Sequence, residues 1–359
     1  MSALHPLACS VLLACSAVAQ SSHPATPANG AKGITDVPGI RVGHFTLAER
    51  PTGCTVVLAD SNGAVPGIAQ RGGAPGTRET SLLDPANAVQ RVHAIALSGG
   101  SSFGLDAAQG VVRYLEERGV GVRFGGAVIP IVPAAIIFDL RVGDGRIRPT
   151  ADCGYRAAAA ATSGAVAEGN VGAGRGATVG KMGGASRSPM KGGVGSASIR
   201  TPDGLVVGAL VVVNAVGDVI DPATGRVVAG TRNADGTLAD ARALLRGGAV
   251  VSGPAPGENT TLGVVATNAR LSKAEMERVA MMADDGLARA IYPVHTMSDG
   301  DTMFSLATGQ WDGPADVSRI GALAAEVVAE AIVRAVARAD SLGGFASAKQ
   351  TGTVPARLK

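Results

Sequence analysis

Between Gly257 and Thr267 the chain changes character within one peptide bond. A polar, turn-forming segment, Gly257-Glu258-Asn259, gives way to Thr260-Thr261 and at once to the apolar, β-branched run Leu262-Gly263-Val264-Val265-Ala266-Thr267. Such a run after a turn signal reads as a buried strand. A hydroxyl residue at its first position admits two readings. In one, a loop merely enters the core. In the other, cutting Asn259–Thr260 gives Thr260 both a hydroxyl nucleophile and a free α-amine, and that amine titrates near neutrality and serves as its base. The local residues by themselves favour the loop; the rest of the chain favours the second reading.

The 359 residues suffice for one large domain or two ordinary ones. Only 17% are charged, so a sizeable core is affordable, and aromatics at 3% leave the packing to Gly, Ala and Val. The net charge of +3 is spread out, with no basic run interleaved with aromatics, which argues against a nucleic-acid partner. His23, His44, His93 and His295 are scattered and read as structural. With no Cys/His cluster at metal spacing and no Ser/His/Asp grouping, the sequence points to a site with no metal and no cofactor.

Leu7 to Ala19 is apolar and uncharged, the length of an export-signal core, and Ala17-Val18-Ala19 offers a cleavage site. Met1 to Pro6 lacks Lys and Arg, and a lipoprotein anchor at Cys15 is the second reading. The expectation is a signal peptide over 1–19, a loose leader over 20–32 and a single catalytic domain over 33–359, in an exported, periplasmic or secreted protein. Cys54 and Cys153 remain after the signal, and their separation alone does not decide whether they pair.

Thr55 to Ala59 and His93 to Ser98 read as strands, with a Gly-rich turn region over 63–77 between them. Phe103, Ala107, Val111, Val112 and Leu115 mark one face of a helix that Gly119 stops. The glycines at 99–100 join strand to helix, where backbone amides are able to bind an anion or polarise a carbonyl. Gly172 to Ala177 matches a dinucleotide fingerprint by letters only, because no strand precedes it and no acidic residue lies between Glu168 and Asp203; residues 169–195 read as loops. Leu205 to Asn214 is a buried strand with Asn214 as its polar end. Residues 221–258 read as an exposed linker with a short helix around 238–245. Strand 261–267, helix 272–291 opened by a Ser272/Glu275 capping box, strand 302–307 and helix 315–337 complete the order. Helices are grouped rather than alternating with strands, which predicts a four-layer αββα sandwich.

At this point the chain resembles the self-processing L-aminopeptidase/D-esterase family, which includes the β-peptidyl aminopeptidases. The resemblance covers about Gly33 to Thr308. It is carried by Gly33-Ile34-Thr35-Asp36-Val37-Pro38-Gly39-Ile40-Arg41-Val42-Gly43-His44, by Gly72-Gly73-Ala74-Pro75-Gly76-Thr77-Arg78-Glu79, and by Leu97-Ser98-Gly99-Gly100-Ser101-Ser102-Phe103-Gly104-Leu105. Further on, Lys191-Gly192-Gly193-Val194-Gly195, Asn259-Thr260-Thr261 and Val265-Ala266-Thr267-Asn268 follow in the same order. It implies an αββα fold with an N-terminal-nucleophile type of site, and a precursor cut between Asn259 and Thr260 into two chains that stay together. It implies Thr260 as nucleophile, Asn214 as oxyanion donor, and Asp301 as the acid that orients the Thr260 amine. Asp299 stands where many members have Ser. It also implies a homo-oligomer. One departure is Ile136-Ile137-Phe138-Asp139-Leu140, which stands where members carry Glu-Thr-x-Asp-Gly: Ile136 brings no carboxylate for a substrate's amine, so the pocket is expected to be more apolar.

The reading is thus a hydrolase of small peptides, amides or esters, acting through an acyl ester on Thr260. The alternatives are an acyltransferase of the ornithine acetyltransferase type, differing in its acyl acceptor, and a non-enzymatic secreted binding protein.

Overall fold

The computed structural model describes Met1 and residues 32–249 and 259–359. The expected export signal with Cys15, the leader up to residue 31, and the polar stretch 250–258 lie outside them.

Two five-stranded sheets form the centre. The first runs, in spatial order, Arg41–Thr46, Gly53–Leu58, Ala94–Ser98, Ala134–Ile136 and Thr77–Arg78. The second runs Gly193–Arg200, Val206–Asn214, Thr260–Thr267, Thr302–Ala307 and Val65–Gln70. Period-2 alternation of small apolar residues gives each sheet two dry faces. In the second sheet Leu210, Val212, Leu262, Val264, Phe304 and Leu306 point inward, against Val57, Ile95 and Leu97 of the first. Val207, Ala209, Val211, Val213 and Val265 point outward. That face is covered by helices Lys273–Ala290 and Val317–Arg338. Helices Ala107–Glu116 and Ala151–Ala159 cover the outer face of the first sheet, over Cys54, Val56, Ala94 and Ala96. The order of layers is helix, sheet, sheet, helix, as the grouping of elements predicts.

Helix starts follow from their caps. The Ser272 side chain accepts from the Glu275 amide and Glu275 returns to Ser272, the expected capping box. Asp316 accepts from the amides of Ser318 and Arg319. Cys54 and Cys153 form a disulfide with their Cα atoms 5.9 Å apart, tying the second outer helix to the first sheet.

Four expectations need correction. The presumed turn region 63–77 holds strand Val65–Gln70. It lies at a sheet edge, where the missing N–H of Pro66 is tolerated. Gly67 is required there because a Cβ would sit 2.3 Å from the backbone of Met276. Phe103 is not on the buried helix face: Ser101–Asp106 is a 3₁₀ turn, and the exposed Phe103 ring lies under the Arg148 guanidinium at 3.5 Å. Residues 221–249 are not an exposed linker, since Val227–Ala229 pairs with Asp218–Ile220 and Val228, Ala229 and Thr231 are buried. Residues 169–195, read as loops, contain a 3₁₀ turn at Gly172–Gly174, two-residue strands at Thr178–Val179 and Met190–Lys191, and the start of Gly193–Arg200.

Candidate active site

The register of the second sheet builds the site. Thr260–Thr267 and Thr302–Ala307 run parallel with Leu262 opposite Thr302. The same offset carried back three residues brings Asn259 against Asp299, and these two residues do pair as a parallel bridge. On its other side Thr260–Thr267 is antiparallel to Val206–Asn214, and that register sets Asn214 opposite Thr260. Residues far apart in sequence, 214, 259–261 and 299–301, therefore meet at one end of the sheet by strand pairing alone.

There the Asn259 carbonyl oxygen accepts two hydrogen bonds, from the Thr260 hydroxyl at 2.5 Å and from the Gly300 amide at 2.7 Å. Asn259 and Thr260 are almost fully buried. Gly300 has no room for a side chain, because a Cβ would lie 2.7 Å from Thr260 Oγ1 and 2.8 Å from the Ala74 carbonyl. The 72–76 loop closes this side: the amide of Ala74 donates to Asp299 O and that of Gly73 to Thr296 O.

Both acidic residues are buried beside the Thr. Asp301 Oδ1 accepts from the Thr261 amide at 2.7 Å, one residue beyond Thr260. Asp299 accepts from the Thr296 hydroxyl at 2.6 Å and the Thr296 amide at 2.9 Å. Burial, and then the charge of Asp301, push its pKa up to about 6, near neutrality for a carboxylate. Asn214 is fully buried and held by three partners. Its Oδ1 accepts from the Thr178 amide and from Lys181 Nζ, both at 3.0 Å, and its Nδ2 donates to Phe138 O at 3.1 Å. Lys181 Nζ also donates to Asn214 O at 2.9 Å.

The segment with Ile136 borders the site from the first sheet. Ile136 is buried and its Cδ1 would touch any Cβ on Gly76, at 2.6 Å. Asp139 plays a structural part: it accepts from Arg50 Nη2 at 2.7 Å, Thr52 Oγ1 at 2.6 Å and the Gly100 amide at 2.9 Å. With the Gly99 amide on Gly53 O, the Gly100 amide on Asp139 and the Ser101 amide on Ile137 O, three amides of the glycine turn at 99–102 are satisfied within the fold.

Sequence reasoning missed two residues. Lys181, within the stretch 169–195 read as loops, lies on Asn214. His295, read as structural, has Nδ1 3.0 Å from Asp301 Oδ2 and Nε2 3.1 Å from Asp284 Oδ2. A signal for His295 was present: Asp284 stands among Met276, Val279, Ala280, Ala283 and Leu287 on the buried face of its helix, and a carboxylate there demands a cationic partner.

The protein-family model described as Peptidase family S58 matches residues 32–350. An uncharacterized aminopeptidase of Mycobacterium leprae is 46% identical over 347 residues, spanning 87% of this chain and 92% of that protein. A 6-aminohexanoate-oligomer endohydrolase of Agromyces sp. is 32% identical over 314 residues, 84% of each chain. Among solved structures, a Burkholderia sp. beta-aminopeptidase superposes with a TM-score of 0.67 at 26% identity, covering 93% of both chains. The L-aminopeptidase D-Ala-esterase/amidase of Ochrobactrum anthropi, described as a variant of the Ntn hydrolase fold, gives 0.68 at 20% identity over 92% of this chain and 98% of that one. Neither the acyltransferase nor the binding-protein alternative is favoured by these relationships. The chain belongs to peptidase family S58, with the Ntn-hydrolase type of αββα fold, and is a peptide or amide hydrolase.

Proposed function

We propose that the protein cuts itself between Asn259 and Thr260 and then uses Thr260 as an N-terminal nucleophile on small peptides, amides or esters. The observation that carries this is the Asn259 carbonyl, held between the Thr260 hydroxyl and the Gly300 amide. In self-cleavage the Thr260 oxygen attacks the Asn259 carbonyl carbon, and the Gly300 N–H stabilises the resulting oxyanion. Collapse expels the Thr260 nitrogen, which takes up a proton, and leaves an ester. Water hydrolyses the ester to the Asn259 carboxylate and the free Thr260 hydroxyl. In turnover the freed amine takes the hydroxyl proton, the oxygen attacks a substrate carbonyl, the amine returns the proton to the leaving group, and water then hydrolyses the Thr260 ester to release the acid and restore the hydroxyl. An Asn side chain has two amide donors. One donor of Asn214 is committed to Phe138, and the second is assigned to the substrate's oxyanion. Asp301, through the Thr261 amide, and Asp299 orient the new N-terminus.

Ile136, buried beside the site where members of the family carry Glu, supports an apolar acyl group without recognition of an α-amine. The relative named for 6-aminohexanoate oligomers supports the same kind of substrate. Export, with removal of residues 1–19 or anchoring at Cys15, belongs to the proposal and is supported by the Cys54–Cys153 disulfide, which favours an oxidising compartment. So does assembly of the cleaved pairs into a homo-oligomer, on the family resemblance. The test is Thr260→Ala beside Thr260→Ser in the full chain. Alanine should give one uncut, inactive chain, and serine a cut, active one. A Thr260→Ala protein that is cut and turns over amides would overturn the assignment.

A further inference from the structure

We propose that Asp284 and His295 are positioning residues for this site: together they clamp Asp301 against the Thr261 amide and so fix where the residue-260 hydroxyl and amine point. The inference rests on the reading of Thr260 as nucleophile. Asp301 is gripped from two sides. Its Oδ1 takes the Thr261 amide at 2.7 Å, while its Oδ2 takes both the backbone amide of His295 at 3.1 Å and the ring Nδ1 at 3.0 Å. The far ring nitrogen of His295 meets Asp284 Oδ2 at 3.1 Å, and Arg71 Nε meets the same oxygen at 3.2 Å. Arg71 also reaches toward Asp285, 3.9 Å away, and its backbone amide donates to Asp301 O at 3.3 Å. The chain Arg71–Asp284–His295–Asp301–Thr261 thus links the outer helix, the edge strand and the 291–301 loop to the nucleophile's strand.

The cost of this arrangement is the argument for its use. Asp284 is fully buried among Val279, Ala280, Ala283 and Leu287 of its helix, and His295 holds a left-handed backbone conformation, φ 55°, that a non-glycine residue rarely adopts. Burial pushes the imidazole pKa down, but the carboxylates of Asp284 and Asp301 outweigh it and raise the pKa to about 10. The ring is therefore an imidazolium at neutral pH, with a proton on each nitrogen, in charge contact with Asp284 and hydrogen-bonded to Asp301, and Asp299 also stands within reach of the Asp301 charge. A charged ring between two fixed carboxylates leaves Asp301 one orientation, the one that holds Thr261.

The experiment compares the full chain with Asp284→Asn, His295→Gln, His295→Asn and the Asp284→Asn/His295→Gln double variant. It follows cutting by intact mass, kcat and KM on one amide substrate, and thermal melting. Asn places its amide nitrogen near the Nδ1 position and keeps the donor to Asp301, whereas Gln reaches the Nε2 position and loses it. The expected result is a ~10–100-fold loss in cutting rate and kcat for Asp284→Asn and His295→Gln with KM little changed. A smaller loss is expected for His295→Asn, and a double variant no worse than the more impaired single, as for residues acting as a unit. If the variants cut and turn over as the parent does, or lose activity only in proportion to unfolded protein with Asn and Gln alike, the positioning role is overturned. A parent protein that is active without being cut overturns the Thr260 reading, and the clamp with it.

Discussion

The Gly300 amide donates to the Asn259 carbonyl at 2.7 Å, at the ends of two parallel strands paired at an offset of 40 residues. That carbonyl belongs to the bond whose cleavage is proposed, so the donor and the closeness of its glycine are directly testable. A Gly300→Ala chain forces a methyl to within 2.7 Å of Thr260 Oγ1. Cutting should slow by at least ~100-fold, the scale of a 1 Å misplacement, while the circular dichroism spectrum stays that of the parent. Unimpaired cutting would remove Gly300 from the account.

Asn214→Ala should lower kcat by ~10²–10³-fold, the scale of a lost oxyanion donor. It should also lower stability, by about 1–3 kcal/mol, since the buried Thr178 amide loses its acceptor. Steady-state kinetics on cut protein and urea unfolding read the two effects separately. A stability loss without a kcat loss would leave Asn214 a structural residue.

Two elements show why part of the site was legible in the sequence. Thr260 opens the β-branched run 260–267 and Asp301 directly precedes the largely apolar strand 302–307, and abrupt polar-to-apolar boundaries mark strand starts well. What the sequence hid was the pairing. Nothing in 260–267 or 302–307 states that these strands run parallel at an offset of 40, yet that offset alone brings Asp299 and Gly300 to Asn259. The edge strand Val65–Gln70 was hidden by Pro66 and Gly67, residues that usually signal a turn but here suit an edge and a close helix. The buried Asp284 announces that a cationic partner is needed, but not which one: His295 lies on a different element, and a lone histidine carries no periodic signal.

The pH dependence follows from Asp299. Its pKa is raised from 3.8 to about 6, so the carboxylate proposed to orient the new N-terminus dominates only above that pH. Then kcat/KM should rise through pH 6, with an apparent value shared between Asp299 and Asp301 because the two interact. The stability term has the opposite sign. A folded-state pKa above the unfolded one favours the fold at low pH, and that contribution is lost as pH rises through about 6. A flat kcat/KM profile between pH 5 and 7 would contradict the role given to Asp299.

Arg50 and Asp139 form a fully buried ion pair beside the site, with Arg50 also donating to Val142 O and Ile147 O. Asp139→Ala strands the guanidinium without its counter-charge, and should cost about 3–5 kcal/mol in urea unfolding. A change below about 1 kcal/mol would show that the backbone carbonyls alone hold Arg50.

The most direct test of the central claim is the intact mass of the purified protein under denaturing conditions, with N-terminal sequencing of any smaller species. Two chains are expected, the smaller beginning at Thr260 with the sequence Thr-Thr-Leu-Gly. A single active chain continuous through Asn259–Thr260 would contradict it, because Thr260 would then have no free amine.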